Sequence, residues 1–222
     1  MLREAVRTCS GADLTRAAKQ LGLWEEGRIV ADEDALDMLV DIALFEPNQR
    51  GRRAFDRFLA DEVLRLAPAD LELTRRMAGA FFSIFRFAAR HETAGVWLED
   101  LLEGDRRLWL MDEALEASAP DGVVFGMRLF DAGPFHAGFG IVVPADEETI
   151  DFCVEARSRG ARLPFRYSLA ATLYGDSIRA GMPPDERLID ALLELLPAGS
   201  VPPGDTHPPA RRPPRPPSKR ER

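Results

Sequence analysis

The sequence predicts an α+β fold in which N-terminal helices, a five-stranded antiparallel meander or small β-barrel, and C-terminal helices follow one another. Three observations support this prediction. Apolar residues recur at helical spacing over residues 1–78, alternate at strand spacing over 79–143 and return to helical spacing over 144–196. A chain of 222 residues with 45% hydrophobic and 30% charged residues can bury one sizeable core. We therefore expect residues 1–196 to form one globular unit.

Three or four helices are predicted in the first segment. Ser10 or Asp13 is placed to cap the first helix, and Asp32 opens the second, because their side-chain oxygens can accept the free N–H groups of a first turn. Two further helices are predicted over residues 55–66 and 68–77. Each helix has one apolar stripe, which must pack against another layer.

Five strand-like runs are predicted in the central segment. Aromatic and β-branched residues favour strands there, and turn residues separate the runs. Gly126, Gly138 and Gly140 lie inside the runs, where a missing side chain usually marks a bulge, a bend or a close backbone approach. The runs are Phe81–Phe87, Val96–Leu102, Arg107–Asp112, Val123–Asp131 and Phe135–Val143.

The second and third runs are predicted to form a hairpin with a two-residue loop at Glu103–Gly104. This register pairs Asp100 with Arg107 and places Trp97 and Trp109 on opposite faces. Both faces of the hairpin are apolar, whereas a sheet with one buried side alternates between apolar and polar residues. We therefore expect the sheet to curl round a core and to be covered outside by helices.

Helical spacing returns after Pro144. Helices are predicted over residues 144–160, 165–179 and 185–196. From Pro197 onward nine of twenty-six residues are proline and no apolar face is present, so residues 197–222 are predicted to be a disordered tail of polyproline character.

Charge divides the chain into two parts. The formal net charge is −8, but the tail carries +4 and the first 196 residues carry −12. An acidic body repels a phosphate backbone, so nucleic acid is expected to bind, if at all, through the tail. The candidate tail residues are Arg211, Arg212, Arg215, Lys219 and Arg220.

Several function classes lack their sequence signatures. No apolar run has the length of a membrane span, and the first ten residues lack a secretory apolar run, which favours a cytoplasmic location. Cys9 and Cys153 are far apart, three histidines show no His-x-x-x-His spacing, and no phosphate-binding loop or nucleophile elbow occurs. We expect no metal, no cofactor and no catalytic residue.

Three residues of the central segment are candidates for binding. Trp97 or Trp109 can stack a base or a peptide proline if half-exposed, although packing against helices is the simpler expectation. His136 flanks Gly138 in a strand and is a candidate to line a groove.

Four motifs resemble a segment of uncharacterised bacterial proteins that often also carry an SEC-C zinc motif. The resemblance covers residues 50–143, and the SEC-C motif itself is absent, so it implies no zinc site, docking role or transferable activity. The motifs are Arg53-Ala-Phe-Asp-Arg-Phe-Leu59, Phe81-Phe-Ser-Ile-Phe-Arg-Phe87, Val96-Trp-Leu-Glu-Asp-Leu-Leu-Glu-Gly104 and Gly122-Val-Val-Phe-Gly-Met-Arg-Leu129.

The sequence favours a non-enzymatic protein-interaction module with an unidentified protein partner. One alternative is a nucleic-acid-associated small β-barrel protein with a basic tail. Another is an enzyme with a pocket between the sheet and the helices, because scattered carboxylates can converge in space without a motif.

Overall fold

The computed structural model describes residues 1–62, 65–161, 163 and 165–181. The helices are α1 (Leu2–Arg7), α2 (Gly11–Leu21), α3 (Glu33–Phe45), α4 (Ala54–Glu62), α5 (Pro68–Ala78), α6 (Glu113–Ser118), α7 (Glu147–Ser158) and α8 (Leu169–Arg179). The strands are β1 (Trp24–Glu25), β2 (Arg28–Ile29), β3 (Phe81–Arg90), β4 (Val96–Asp100), β5 (Arg106–Leu110), β6 (Val124–Asp131) and β7 (His136–Pro144). The predicted helix over 185–196 and the predicted disordered tail lie outside the described residues.

Capping confirms the predicted starts of α2 and α3. Ser10 Oγ accepts the Asp13 N–H at 3.2 Å while the Ser10 N–H donates to Asp13 Oδ2 at 3.0 Å, and Gly22 ends α2 in the left-handed conformation. Asp32 Oδ1 accepts the Ala35 N–H at 2.9 Å. Local side-chain chemistry therefore sets both helix starts.

Four small elements escaped prediction. The α1 helix has six residues and one buried side chain, Ala5, which is too little for a periodic signal. The β1 and β2 strands have two residues each and turn through Glu26 and Gly27, both at positive φ. Asp112 caps α6, which begins at Glu113, so the strand predicted to reach Asp112 ends at Leu110.

The central strands form a mixed sheet that curls on itself, here called the curled sheet. Its strand order is β3-β4-β5-β7-β6, and β6 also pairs with β3. Every pairing is antiparallel except the seam between β5 and β7, which is parallel and consists of the pair Leu110 and His136. At the seam the Met111 N–H donates to the His136 carbonyl oxygen at 2.9 Å. The predicted antiparallel pairing of all five strands is therefore wrong at this seam.

The predicted register of the β4–β5 hairpin is wrong by one residue. Trp97 pairs with Trp109, and Asp100 pairs with Arg106 rather than Arg107. The Asp100 carboxylate causes the difference, because Oδ1 accepts the Leu102 N–H at 3.2 Å and holds the chain in a longer loop. The same oxygen accepts the Ser83 hydroxyl at 2.5 Å, so the buried Asp100 also fastens β4 to β3.

Apolar side chains fill the inner side of the sheet and cover part of its outer side. The inner core contains Phe85, Phe125 and Leu129, and Leu115 of α6 packs against one end. Outside, helices pack on β3, β6 and β7. Gly126 permits this contact, since a Cβ there would lie 2.6 Å from Leu173 Cδ1 of α8. The close approach predicted for Gly126 is therefore confirmed. The predicted helical cover is incomplete, because the outward side chains of β4 and β5 remain half-buried or exposed.

A buried ion cluster joins the sheet to α3. Arg128 on the outer face of β6 donates through Nε to Asp41 Oδ1 and Oδ2 at 2.9 and 3.0 Å, and through Nη2 to Glu46 Oε1 at 2.8 Å. Its guanidinium lies between the rings of Phe45 and Phe82, at 5.2 and 5.7 Å. Burial alone lowers the pKa of Arg128, but the charges of Asp41 and Glu46 outweigh it and hold that pKa above its ordinary value.

Arg128→Met is expected to lower the free energy of unfolding by about 3 to 5 kcal/mol, because the buried Asp41 would lose the cation that compensates its burial. Arg86→Met is the matched control on β3, where the exposed Arg86 lies 3.3 Å from Glu99, and its expected loss is about 1 kcal/mol or less. Urea denaturation measures both. Equal losses of unfolding free energy in the two variants would contradict the prediction. Adding Asp41→Leu to Arg128→Met should recover part of the lost stability.

Candidate functional site

An aromatic cluster lies on the outer surface of the β4–β5 hairpin. We call it the aromatic face and define it as His91, Trp97, Trp109 and Phe135, all half-buried. The His91 ring stacks on Trp109 with centroids 3.9 Å apart and an interplanar angle of 4°, and it lies 4.8 Å from Trp97. Phe135 meets Trp109 edge-on at 5.7 Å. The structure therefore joins the two predicted tryptophans in one cluster.

The prediction that Trp97 and Trp109 lie on opposite faces is wrong. They are direct cross-strand partners, and cross-strand partners project from the same face of a sheet. The one-residue register error had moved every side chain of one strand to the other face. His91 was missed as a member because its loop position carries no periodic signal.

Hydrogen bonds hold the two indole rings in place. Trp109 Nε1 donates to the Ala94 carbonyl oxygen at 2.8 Å, and Trp97 Nε1 donates to Glu92 Oε2 at 3.3 Å. The Gly95 N–H donates to Glu116 Oε2 at 2.6 Å, which ties the same loop to α6. With both N–H groups engaged, the exposed parts of the rings are available chiefly for apolar contact.

Arginine side chains border the aromatic face. Arg107 lies over the Trp97 ring at 5.1 Å, and Arg90 Nε donates to the Glu116 carbonyl oxygen at 2.9 Å. Both arginines are exposed, and among the described residues neither has a carboxylate oxygen within 4.0 Å. The face therefore combines apolar rings with two cations that can still pair with an anionic group.

His136 does not join the aromatic face. It lies at the seam of the curled sheet, where its ring meets Phe81 edge-on at 6.4 Å beside the inner core. Burial lowers the pKa of His136, which outweighs the opposite effect of Asp131. His136, predicted as a candidate to line a groove, thus lies in the sheet seam.

A second candidate region, here called the basic cavity, is an open pocket of about 1120 Å³ between α2, the loop after α3, and the segment before α8. The charged residues of its lining are Arg16, Lys19, Arg157, Arg166 and Glu46. No strand contributes to it, so it differs from the pocket between sheet and helices that the enzyme alternative requires. Sequence reasoning missed the cavity because its residues come from distant segments without a shared motif.

Both cysteines have raised pKa values, which disfavours the reactive thiolate form. Cys153 is buried, and burial raises its pKa to about 11, while burial also raises the pKa of the half-buried Cys9. Within residues 1–181, apart from the few left undescribed, no group of three His, Cys, Asp or Glu side chains could hold a metal ion. None of the described helices is long and apolar enough to cross a membrane. The candidate tail residues lie outside the described residues.

Comparison with known proteins identifies a family without an assigned activity. The model of a family of unknown function, DUF7986, matches residues 3–157, which include the whole segment that resembled uncharacterised proteins. The comparison supplies no evidence for an SEC-C motif. No curated protein and no solved structure matches the chain.

The seam histidine predicts a pH effect on stability. Because the pKa of His136 is lower in the folded chain than its ordinary value of 6.5, the unfolded chain binds the proton more readily. His136 should therefore make the wild type lose stability, relative to His136→Gln, as the pH falls below about 7. Urea titrations of both proteins from neutral to mildly acidic pH measure the difference. A difference that stays constant with pH would contradict the prediction.

Proposed function

We propose that the chain, which belongs to the DUF7986 family of unknown function, is a non-enzymatic protein-interaction module. Its aromatic face binds an extended segment of a partner protein in which proline residues are flanked by acidic residues. The observation that carries the proposal is the cross-strand pair Trp97 and Trp109, which remains partly exposed on the outer side of the sheet.

The ring arrangement suits a binding surface. Tryptophan is the residue type most enriched among the side chains that dominate interface energies. The hydrogen bonds from Trp97 to Glu92 and from Trp109 to Ala94 already restrain both rings, so binding loses less side-chain entropy. The aromatic face is therefore preorganised in the free protein.

The neighbouring groups indicate the partner's chemistry. A proline ring offers apolar contact on a backbone that is already restricted, which suits aromatic surfaces whose N–H groups are engaged. Arg90 and Arg107 supply positive charge without a carboxylate partner in the described part of the chain. An acidic residue beside the proline complements them.

Nucleic acid is the less favoured ligand of the same face. Bases also stack on tryptophan, and arginines also bind phosphates. However, the first 196 residues carry a net charge of −12, which repels a polyanion at long range. A short peptide with one or two carboxylates meets much less of this repulsion.

The indole N–H signals of the three tryptophans test the proposal by NMR. Titration with a capped peptide of alternating glutamate and proline should shift the Trp97 and Trp109 signals and leave Trp24 unchanged. Trp97→Ala should weaken binding roughly tenfold or more, as expected for a central interface tryptophan. Trp24→Phe is the matched control, and a lysine–proline peptide should bind more weakly than the glutamate–proline peptide.

Three outcomes would overturn the proposal. The first is the absence of any shift at millimolar peptide. The second is a shift of Trp24 alone, which would locate acidic peptides near the basic cavity. The third is a larger response of Trp97 and Trp109 to oligothymidylate, weakening as salt rises, which would identify a nucleic-acid surface.

A further inference from the structure

We propose that the basic cavity binds a small organic molecule that carries two or more anionic groups, either carboxylates or phosphates. The proposal is independent of the aromatic face, because the two regions share no residue. It rests on the charge, the hydrogen-bonding state and the size of the cavity lining.

The lining concentrates positive charge in an acidic body. Four cations face one carboxylate, Glu46, which is already bonded to the buried Arg128. Among the described residues, Arg16, Lys19 and Arg166 have no carboxylate oxygen within 4.0 Å, and Arg157 has only Glu103 at 3.7 Å. The cavity lining therefore carries more positive than negative charge.

Arg16 is the fixed cation of the cavity. Its Nη2 donates to the carbonyl oxygens of Ile42, Ala43 and Glu46 at 3.4, 3.4 and 3.1 Å, and its Nη1 donates to Gln20 Oε1 at 3.2 Å. Its Nε is buried without a hydrogen-bond partner among the described residues. These contacts hold the guanidinium rigidly at the end of α3, while burial lowers the pKa of Arg16.

Two further cations can turn toward a ligand. The Lys19 ammonium lies over the Trp24 ring at 5.5 Å, and the Arg166 guanidinium lies over the Tyr167 ring at 5.1 Å. Both side chains belong to exposed residues, so these ring contacts are weak enough to exchange for a charged hydrogen bond. The first turns of α2 and α8 also border the cavity and add the positive ends of their dipoles.

The dimensions indicate an organic ligand rather than a bare inorganic ion. The volume of about 1120 Å³ slightly exceeds that of typical ligand pockets, roughly 300 to 1,000 Å³, and is far larger than an inorganic ion needs. Phe165, Tyr167 and Leu169 supply apolar surface for a carbon framework. The excess of cations over Glu46 suits more than one anionic group on the same molecule.

Isothermal titration calorimetry of the full chain with citrate and with pyrophosphate tests the proposal. At least one of the two probes should bind, with an affinity that falls as the salt concentration rises. Tighter binding of citrate would indicate a carboxylate ligand, and tighter binding of pyrophosphate a phosphate ligand. The Trp24 indole N–H signal should shift, because Lys19 leaves its ring, whereas Trp97 and Trp109 should not. Lys19→Gln and Arg166→Gln should each weaken binding roughly tenfold, as expected for loss of a charge-assisted hydrogen bond.

Arg75→Gln is the matched control, since Arg75 is exposed on α5 and does not line the cavity. Circular dichroism would verify that each variant is folded. Absence of heat and of a Trp24 shift with both probes at millimolar concentration would overturn the proposal. So would an equal loss with Arg75→Gln, or much tighter binding of hexaglutamate, which would identify an acidic protein segment as the occupant.

Discussion

The contact of Arg128 with Asp41 and Glu46 is the constraint on which the rest of the structure depends. A guanidinium buried in an apolar layer is tolerated only when its charge and its donors are satisfied, so β6 and α3 must meet at one relative position. Glu46 is also the residue that follows α3, and its carbonyl oxygen accepts a hydrogen bond from Arg16 of α2. One series of contacts thus runs from the sheet, through the end of α3, to the lining of the basic cavity.

The same constraint decides which face of the sheet remains available. Because Arg128 joins α3 to β6 and α8 packs against β3, β6 and β7, the close contact of Leu173 with Gly126 places the helical layer on that side. The β4–β5 hairpin projects beyond the helices, and its outer side chains stay partly exposed. Trp97 and Trp109 are then buried by one another and by His91 instead of by a helix.

The elements that local chemistry determines could be predicted from the sequence, whereas the contacts between distant segments could not. Ser10 and Asp32 cap helices through bonds to residues three positions later, and such signals are readable in a short window. The hairpin register depends instead on Asp100, whose carboxylate accepts a hydrogen bond from Ser83 of another strand. The alternation of apolar and polar residues within one strand does not predict such a bond. The parallel seam at Leu110 and His136 and the basic cavity similarly join segments that have no common motif.

The two candidate regions follow from how an acidic chain distributes its cations. Where an arginine has a carboxylate partner, as Arg128 and Arg57 do, the ion pair stabilises the fold and the partner neutralises the charge that a ligand would meet. Arg16 is held by carbonyl oxygens, whose partial charges satisfy its donors but neutralise only part of its charge. Lys19 and Arg166 also line the basic cavity, so an anion bound there, as proposed above, would favour the folded state by mass action. Binding in the basic cavity should therefore be coupled to the stability of the contact between α2 and α3. The reason is that Arg16 both lines the cavity and connects α2 to the end of α3.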